Sequence, residues 1–349
     1  MVLPGSQLYN LILLAFGMLC LGTWATTFRM TSKWRFELYY FDFALGTLIA
    51  AVLIGSTFGT LGWDGFALMD DFRIAGKQKE ALAMLGGTVF NLGNMLILAS
   101  VSVAGLTVAY MIGVGFMMTS GLVITYFTSP GGNGSMLMAG AALIVVSAVL
   151  LAVSFRMRAI ERLLRLAQQG KTKSTRKTAS IKGVLLAAGG GIVAGAYFPL
   201  IASAADGETG VGPYALGIFF SLGIVISTAV FGLFFMNLPV QGEPVEMGEY
   251  FKGKAKFHWL GIFGGILFYL GLASMLILTR AEGKNIVPAF EIRALMLAAA
   301  LIGALWGLLR WKEFANAGET VKALLIGAVL AFVTGIAGLS AAAGLSGNG

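Results

Sequence analysis

The feature that most constrains this sequence is a series of ten long apolar runs, separated by short stretches of charged and turn-forming residues. A helix needs about 20 apolar residues to cross the roughly 30 Å hydrocarbon core of a bilayer. The runs are continuous and do not alternate between apolar and polar residues, as the strands of a membrane barrel would. We therefore predict an all-α membrane protein. Its ten transmembrane helices are predicted near residues 8–28, 37–59, 81–101, 105–128, 136–156, 182–204, 213–237, 257–279, 288–309 and 321–343.

Composition also favours a membrane domain over a soluble one. Hydrophobic residues make up 58% of the chain and charged residues 11%, which is too little polar surface for a soluble protein of 349 residues. The single cysteine, Cys20, allows no intramolecular disulfide and no Cys-based metal site, and His258 is the only histidine. Membrane enzymes need His, Asp, Arg or Cys clustered near one interface, so catalysis is disfavoured. We expect no cofactor and no soluble domain of the kind that a receptor or structural module would bring.

The positive charges are divided unevenly between two sets of loops. Three quarters of the 24 lysines and arginines fall in loops 29–35, 156–182, 252–256 and 310–322, which alternate with less basic loops. Cytoplasmic loops carry an excess of these residues. The distribution predicts an inner or plasma membrane protein with both termini outside and a cytoplasmic central loop. Topology thus explains the net charge of +8, whereas nucleic-acid binding would want basic residues interleaved with exposed aromatic ones.

The basic central loop, 157–180, divides the chain into two halves, 1–156 and 181–349. The first part of this loop, 157–166, has the pattern of a basic amphipathic helix lying on the inner leaflet. Each half contains five predicted spans. Because five is odd, two similar halves would cross the membrane in opposite orientations.

Short stretches of the two halves resemble each other in the same order and at similar offsets. Inverted repeats of this kind are a construction of secondary transporters, whose substrate site lies near the middle of the membrane between the halves. Paired glycines also let helices approach closely, and the two interpretations are compatible. The matched stretches are 86–94 with 264–272, 42–46 with 213–217, and 22–24 with 195–197.

Further short motifs run through nearly the whole chain. They are Leu21-Gly22-Thr23-Trp24, Tyr40-Phe41-Asp42, Gly86-Gly87, Leu92-Gly93-Asn94, Gly105-Leu106-Thr107-Val108, Phe198-Pro199, Pro213-Tyr214-Ala215, Phe219-Phe220-Ser221, and Leu305-Trp306-Gly307 before Glu313. This set resembles the ureide permease family of the drug/metabolite transporter superfamily, which is related to glucose/ribose and rhamnose porters. The resemblance implies ten helices in two inverted repeats. It also implies uptake of a small neutral heterocycle, such as a ureide or a nucleobase, driven by protons.

Two departures from the family pattern bear on the substrate. Leu272 stands where the family often has a polar Asn, and the longer central loop of the plant members, with its nucleotide-like motif, is absent. The resemblance therefore implies a solute class and leaves the individual solute open.

Polar and aromatic residues inside the spans are the candidate substrate-binding residues, because polar groups in hydrocarbon must face the protein interior or a cavity. Asn91 and Asn94 share one face of the third span, and two amides offer donors and acceptors that suit a neutral ligand. Their alternative role is to hold helices together. Aromatic side chains could stack on a flat ring, or could anchor the membrane interface or fill the core. The aromatic candidates are Trp24, Tyr110, Tyr197, Tyr214, Tyr269 and Trp306.

Asp42 is the candidate for proton coupling. It stands well inside the second span, roughly 9 Å from the predicted cytoplasmic end at 1.5 Å per residue. An acid at this depth could exchange protons, or could form a structural pair with Arg29 or with loop backbone.

These observations predict a secondary active transporter of a small neutral polar solute that works by alternating access. The alternatives on the same fold are a sugar porter and a multidrug exporter, and a membrane-embedded enzyme is a weaker one. The expected partners are the solute, protons and the lipid bilayer, and the sequence leaves a homodimer open.

Overall fold

The computed structural model describes residues 1–31, 34–62, 64–128, 133–168, 181–280 and 289–344. These residues form helices joined by short loops. A π-helical turn, Ala109–Val114, lies within the helix Leu106–Thr128, and a second, Trp306–Arg310, continues the helix Ala298–Leu305. In chain order the helices are α1 (Gln7–Met30), α2 (Phe36–Thr57), α3 (Leu68–Ile74), α4 (Lys77–Ala104), α5 (Leu106–Thr128), α6 (Gly134–Gln168), α7 (Lys182–Ala205), α8 (Pro213–Asn237), α9 (Gly248–Phe251), α10 (Ala255–Leu278), α11 (Ala289–Met296), α12 (Ala298–Leu305) and α13 (Glu319–Gly344).

Within the described ranges, nine helices are long and apolar enough to cross a membrane, namely α1, α2, α4, α5, α6, α7, α8, α10 and α13. They coincide with nine of the predicted spans and confirm a helical, membrane-compatible protein. From residue 289 onward, the run predicted as a single span at 288–309 forms the two short helices α11 and α12. Between them, Leu297 N–H bonds to the Ala294 carbonyl and Ala300 N–H to the Leu297 carbonyl. These bonds span three residues instead of four, so the α-helix is interrupted at Leu297.

The stretch 157–166, predicted as a separate amphipathic helix, is the continuation of α6, which runs unbroken from Gly134 to Gln168. This extension rests on the segment before α13. Glu161 Oε2 accepts a hydrogen bond from Gly318 N–H at 2.9 Å, and the Arg158 guanidinium lies 5.1 Å from the centre of the Phe314 ring. The extension is therefore part of one continuous helix and is held by protein contacts. The rest of the predicted loop, 169–180, falls outside the described residues.

Four glycines set the closest approaches between helices. At each of them, an added β-carbon would overlap a backbone carbonyl of the neighbouring helix, so the helices can touch only because no side chain is present. The contacts join α2 to α10 and α4 to α8, and they hold these four helices in a tight group. The pairs are Gly46 with Ile262, Gly265 with Phe43, Gly223 with Met84, and Gly87 with Phe220.

Two buried carboxylates cap helix starts. Glu313, which follows α12, accepts hydrogen bonds from the N–H groups of Leu106 at 2.8 Å and Thr107 at 2.9 Å, in the first turn of α5. Asp71 of α3 accepts one from Gly212 N–H at 3.0 Å, just before α8. The first amides of a helix have no partner within it, so these carboxylates satisfy donors that would otherwise be left unpaired.

The loops meet at two opposite ends of the bundle. At one end, here called the basic end, Arg29 of α1 pairs with Glu313 at 3.3 Å, and Arg35 precedes α2. At the other, the ammonium group of Met1 donates to the Asp64 carbonyl at 2.8 Å. Within the described residues, the basic segments that follow α1 and α12 thus meet at one end, as their alternation along the chain requires.

Candidate functional site

Six aromatic side chains meet inside the bundle, near the midpoints of α4, α7 and α10. Each is at most 4% exposed. They come from six different helices that are far apart in the sequence, so only the packing of the helices brings them together. This aromatic cluster consists of Trp24, Phe43, Phe90, Tyr197, Phe220 and Phe268.

One side of the cluster is formed by three rings from α1, α2 and α10. The Trp24 ring lies 4.8 Å from Phe43 and 6.0 Å from Phe268, measured between ring centres. Phe43 in turn lies 5.4 Å from Phe268. These separations are those of favourable aromatic pairs. Trp24, a predicted site residue, is therefore one wall of the cluster.

The other side is formed by three rings from α4, α7 and α8. The Tyr197 ring lies 5.5 Å from Phe90 and 5.6 Å from Phe220, and Phe90 lies 5.4 Å from Phe220. Phe90 joins the two sides, since it stacks on Phe268 at 5.0 Å with an angle of 22° between the ring planes. This stacking leaves no space for a ligand between these two rings in the present conformation.

Asn94 and Tyr40 form a polar edge beside the cluster. Asn94 Nδ2 donates a hydrogen bond to the Tyr40 hydroxyl at 2.8 Å, and the Tyr40 ring lies 4.8 Å from Phe43. Both side chains are buried. An amide and a phenol can exchange such a bond for bonds to the carbonyl or N–H groups of a ligand.

Asn91 is turned toward α8. Its Nδ2 donates to the hydroxyls of Ser227 at 2.8 Å and Thr228 at 3.0 Å, and to the Ile224 carbonyl at 3.2 Å. Its Oδ1 is buried and has no hydrogen-bond partner among the described residues. Asn91 therefore links α4 to α8, which is the alternative role expected for it, and keeps one free acceptor.

Tyr110 lies behind α1 and does not contact the cluster rings directly. Its hydroxyl donates to the Leu21 carbonyl at 3.2 Å and accepts from Ala25 N–H at 3.3 Å. An α-helix pairs these two backbone groups directly, so the hydroxyl bonds to both members of one backbone pair of α1, in the turn that contains Trp24.

The structure describes all six residues of the aromatic cluster. Three other predicted residues make no ring contact with any of them. Tyr214, at the start of α8, donates to the Val2 carbonyl at 2.7 Å, far from the basic end. Trp306 is 39% exposed, and its Nε1 donates to the Thr23 hydroxyl at 3.1 Å. Tyr269 is fully buried where α10 meets α8.

Asp42 is held by two side chains of the basic end. Its Oδ2 lies 2.8 Å from His258 Nδ1, and its Oδ1 accepts a hydrogen bond from the Tyr250 hydroxyl at 2.6 Å. The Asp42 side chain is 3% exposed and that of His258 is 24% exposed, so the imidazole connects the buried acid to solvent. Burial and the adjacent carboxylate raise the pKa of Tyr250, which therefore stays a neutral donor. Arg29, an expected partner of Asp42, pairs with Glu313 instead.

His258 and Tyr250 are site residues that the sequence pattern does not predict. His258 lies in the first turn of α10, and α2, which contains Asp42, begins at the same end of the bundle. That shared end is the one sequence signal that could have connected the two side chains. Tyr250 lies on the short helix α9, whose position depends on the folding of a long loop.

A cavity of about 300 Å³ opens at the basic end between α1, α2 and α4, and Phe28 is one of its lining residues. From Phe28, aromatic rings continue inward. The Phe28 ring lies 5.2 Å from Tyr39, and Tyr39 lies 6.5 Å from Phe43. A continuous series of rings therefore links this cavity to the aromatic cluster.

Comparisons with known proteins give one consistent result. The model of the ureide permease family matches residues 39–189. Ureide permease 1 of Arabidopsis thaliana is 22% identical to this chain, over 94% of this chain and 95% of that protein. A protein crystal structure shares the fold with a TM-score of 0.52 at 15% identity, covering 95% of this chain and 96% of the other. The resemblance predicted from the motifs is thus confirmed, and together with the apolar helices it supports an integral membrane protein.

Proposed function

We propose that this chain, a relative of the ureide permeases, is a secondary active transporter that takes up a small neutral polar solute by alternating access. The name of its plant relative makes a ureide, or a similar flat heterocycle, the first candidate. The proposed architecture is ten spanning helices in two inverted repeats, 1–156 and 181–349, joined by a cytoplasmic loop.

Contacts that recur in the two halves support the inverted repeat. Phe43 of α2 meets Phe268 of α10 at 5.4 Å, and Phe220 of α8 meets Phe90 of α4 at the same distance. The sequence motifs match Phe43 to Tyr214, whereas these contacts match it to Phe220. The equivalent of Phe43 given by the contacts thus lies about two helical turns further along α8 than the equivalent given by the motif match. A match of small and aromatic residues is weak in a membrane helix, where such residues are common.

The interrupted pair α11 and α12 supports the count of ten spans. α12 of the second half packs against α1 of the first, as α5 of the first half packs against α7 of the second. Each also contains or continues into a π-helical turn, Ala109–Val114 and Trp306–Arg310. These similarities support the assignment of the pair to the ninth span of the proposed repeat.

The observation that carries the proposal is the aromatic cluster between the halves, to which each half contributes three rings. Ring faces suit a flat solute, and Asn94 with Tyr40 supplies a hydrogen-bonding edge. The repeat matches Asn94 to Leu272, so the facing wall is apolar. An ion at this depth would need a free countercharge, and Asp42 is already held by His258. A neutral molecule with one polar edge fits these conditions.

Alternating access requires the cluster to open toward each end in turn. In this conformation the Phe90–Phe268 stack closes it, and the 300 Å³ cavity with its series of rings gives the approach from the basic end. The charge distribution assigns the basic end to the cytoplasm. We therefore place this conformation near an occluded state that opens to the cytoplasm.

Proton coupling is assigned to Asp42 together with His258. Asp42 directly precedes Phe43, so a change in its protonation acts on the turn of α2 that holds a cluster ring. His258 is partly exposed and gives the acid a route to the basic end. A buried acid that exchanges protons through a histidine is a typical relay of transporters.

A sugar porter is the second candidate, because aromatic faces beside an amide also suit a sugar ring. A multidrug exporter would want a larger and more apolar pocket than the cluster provides. The test is flux into proteoliposomes that contain the purified protein, with acid outside, using a labelled ureide, nucleobase and sugar in parallel. We expect accumulation of a ureide or nucleobase that collapses when a protonophore is added. Absence of flux for all three classes of solute would overturn the proposal that the protein is a transporter. Flux of the sugar alone would identify a sugar, and not a heterocycle, as the solute.

A further inference from the structure

A second cavity at the basic end, of about 500 Å³, lies outside the proposed solute path. It is bounded by α1, the end of α4, the extension of α6 and the segment that follows α12. It shares Arg29 and Ser102 with the smaller cavity, so it lies beside the proposed entrance. Four basic residues line it, namely Arg29, Arg158, Arg162 and Lys312.

The positive charge of this cavity is largely unneutralised. Glu313 is the carboxylate among its lining residues, and it already accepts bonds from two amides of α5 and from Arg29. Arg158 and Arg162, one turn apart on α6, form no ion pair within the described part of the chain. Two guanidinium groups on one helix face repel each other unless an anion lies between or beside them.

The remaining wall of the cavity is apolar. Phe155, Leu163 and Leu166 line it from the same helix that supplies the two arginines. The basic and apolar walls together match an anionic headgroup with the start of its acyl chains.

We propose that this cavity binds the phosphate-bearing headgroup of an anionic phospholipid, with Arg158 and Arg162 as the phosphate-binding residues. A phosphate group is the chemistry that paired guanidinium groups recognise, and basic pockets between helices on the cytoplasmic side are where anionic headgroups bind. A soluble phosphate ester has the same charged group but would leave the apolar wall uncovered. The lipid is therefore the occupant that uses both walls.

The test is native mass spectrometry of the full chain released from nanodiscs that contain equal amounts of phosphatidylglycerol and phosphatidylcholine. The wild type should retain phosphatidylglycerol preferentially, and Arg162→Gln should bind it about fivefold more weakly. Arg162 is exposed and forms no ion pair with the residues that the structure describes, so this variant should fold normally, which its melting temperature checks. Arg158→Gln should also weaken the binding of phosphatidylglycerol.

Arg165→Gln is the matched control, because Arg165 lies on the same helix, pairs with Glu161 and does not line the cavity. Equal losses in Arg162→Gln and Arg165→Gln would overturn the site, since they would indicate diffuse surface charge. A wild type without preference for phosphatidylglycerol would overturn it as well. Displacement of the lipid by millimolar glycerol phosphate would assign the cavity to a soluble phosphate ester.

Discussion

At the scale of single residues, Asn91 and Asn94 have different surroundings although they lie on one face of α4. Asn91 donates to three groups of α8, whereas the single bond of Asn94 Nδ2 to Tyr40 lies at the edge of the aromatic cluster. The first arrangement is that of a residue that holds helices together. The second leaves an amide that a solute can recruit, so the two residues should respond differently to substitution.

Asn94→Ala should weaken solute binding without unfolding the protein. Loss of a buried amide that bonds the ligand costs about 1–3 kcal/mol, or roughly ten- to a hundred-fold in affinity. Equilibrium binding of a labelled ureide to the purified variants measures the effect. Asn237→Ala is the control, because Asn237 is exposed at the end of α8 and bonds only within its own helix. Wild-type affinity in Asn94→Ala would show that this amide has a structural role and does not bind the solute.

Asp42→Asn should abolish accumulation driven by a pH gradient while leaving solute counterflow intact. The amide keeps the shape of the carboxyl group and a hydrogen-bonding partner for Tyr250, but it cannot exchange a proton. Counterflow and gradient-driven uptake, measured in the same proteoliposomes, separate the two activities. Glu249→Gln, which removes an exposed acid of the same end, should change neither. Full gradient-driven uptake by Asp42→Asn would remove the coupling role.

At the scale of helices, the glycine crossings decide how closely the two halves fit. The contact of Gly223 with the Met84 carbonyl joins α8 to α4, and that of Gly46 with Ile262 joins α2 to α10. A backbone carbonyl cannot move aside as a side chain can. The crossings therefore fix the positions of α2, α4, α8 and α10, which hold four of the six cluster rings.

Gly223→Ala should destabilise the protein by about 1–3 kcal/mol, because the added methyl group overpacks the crossing with α4. The measurement is the melting temperature in detergent, which should fall. Gly189→Ala provides the matched control, since Gly189 also lies in a helix and has nothing near its added β-carbon. There the substitution should leave the melting temperature unchanged or raise it, because alanine favours helix. Equal effects at both positions would contradict the crossing.

The sequence predicts the helices well, because the length of an apolar run depends only on residues that are neighbours in the sequence. In the described part of the chain, nine helices that are long and apolar enough to cross a membrane follow the predicted runs closely. The sequence gives no sign of the interruption of the helix at Leu297, since the run 288–309 has no proline or charge cluster at that point. The continuation of α6 to Gln168 depends on Glu161 and Arg158 finding partners near α13, which are contacts between distant parts of the chain.

The candidate site is less predictable than the helices. Trp24, Tyr197 and Asn94 are expected from their place in the spans, and they lie in or beside the cluster. The phenylalanines that complete the cluster give no signal, because Phe is common in every membrane helix. His258 is likewise hidden, since its link to Asp42 depends on the packing of α10 against α2.

At the scale of the whole molecule, we propose that the basic end faces the cytoplasm and that the other end faces the outside. Cysteines introduced by Lys252→Cys and Glu208→Cys, in a Cys20→Ala background, should react with an impermeant reagent from opposite sides. The first should react from the cytoplasm, because Lys252 lies in a basic loop. Both positions are exposed, and Cys20 is buried, so the background reaction should be small. Labelling of both from one side would contradict the topology.

The central claim is that the solute binds in the aromatic cluster, which opens alternately to the two sides. Phe268→Cys places a thiol at the centre of the cluster, where its rate of modification by a small impermeant reagent can be followed in proteoliposomes. The account predicts modification from either side, slowed by saturating ureide, with no such slowing for Lys252→Cys. A rate that ureide leaves unchanged, in a preparation that still transports ureide, would contradict the account.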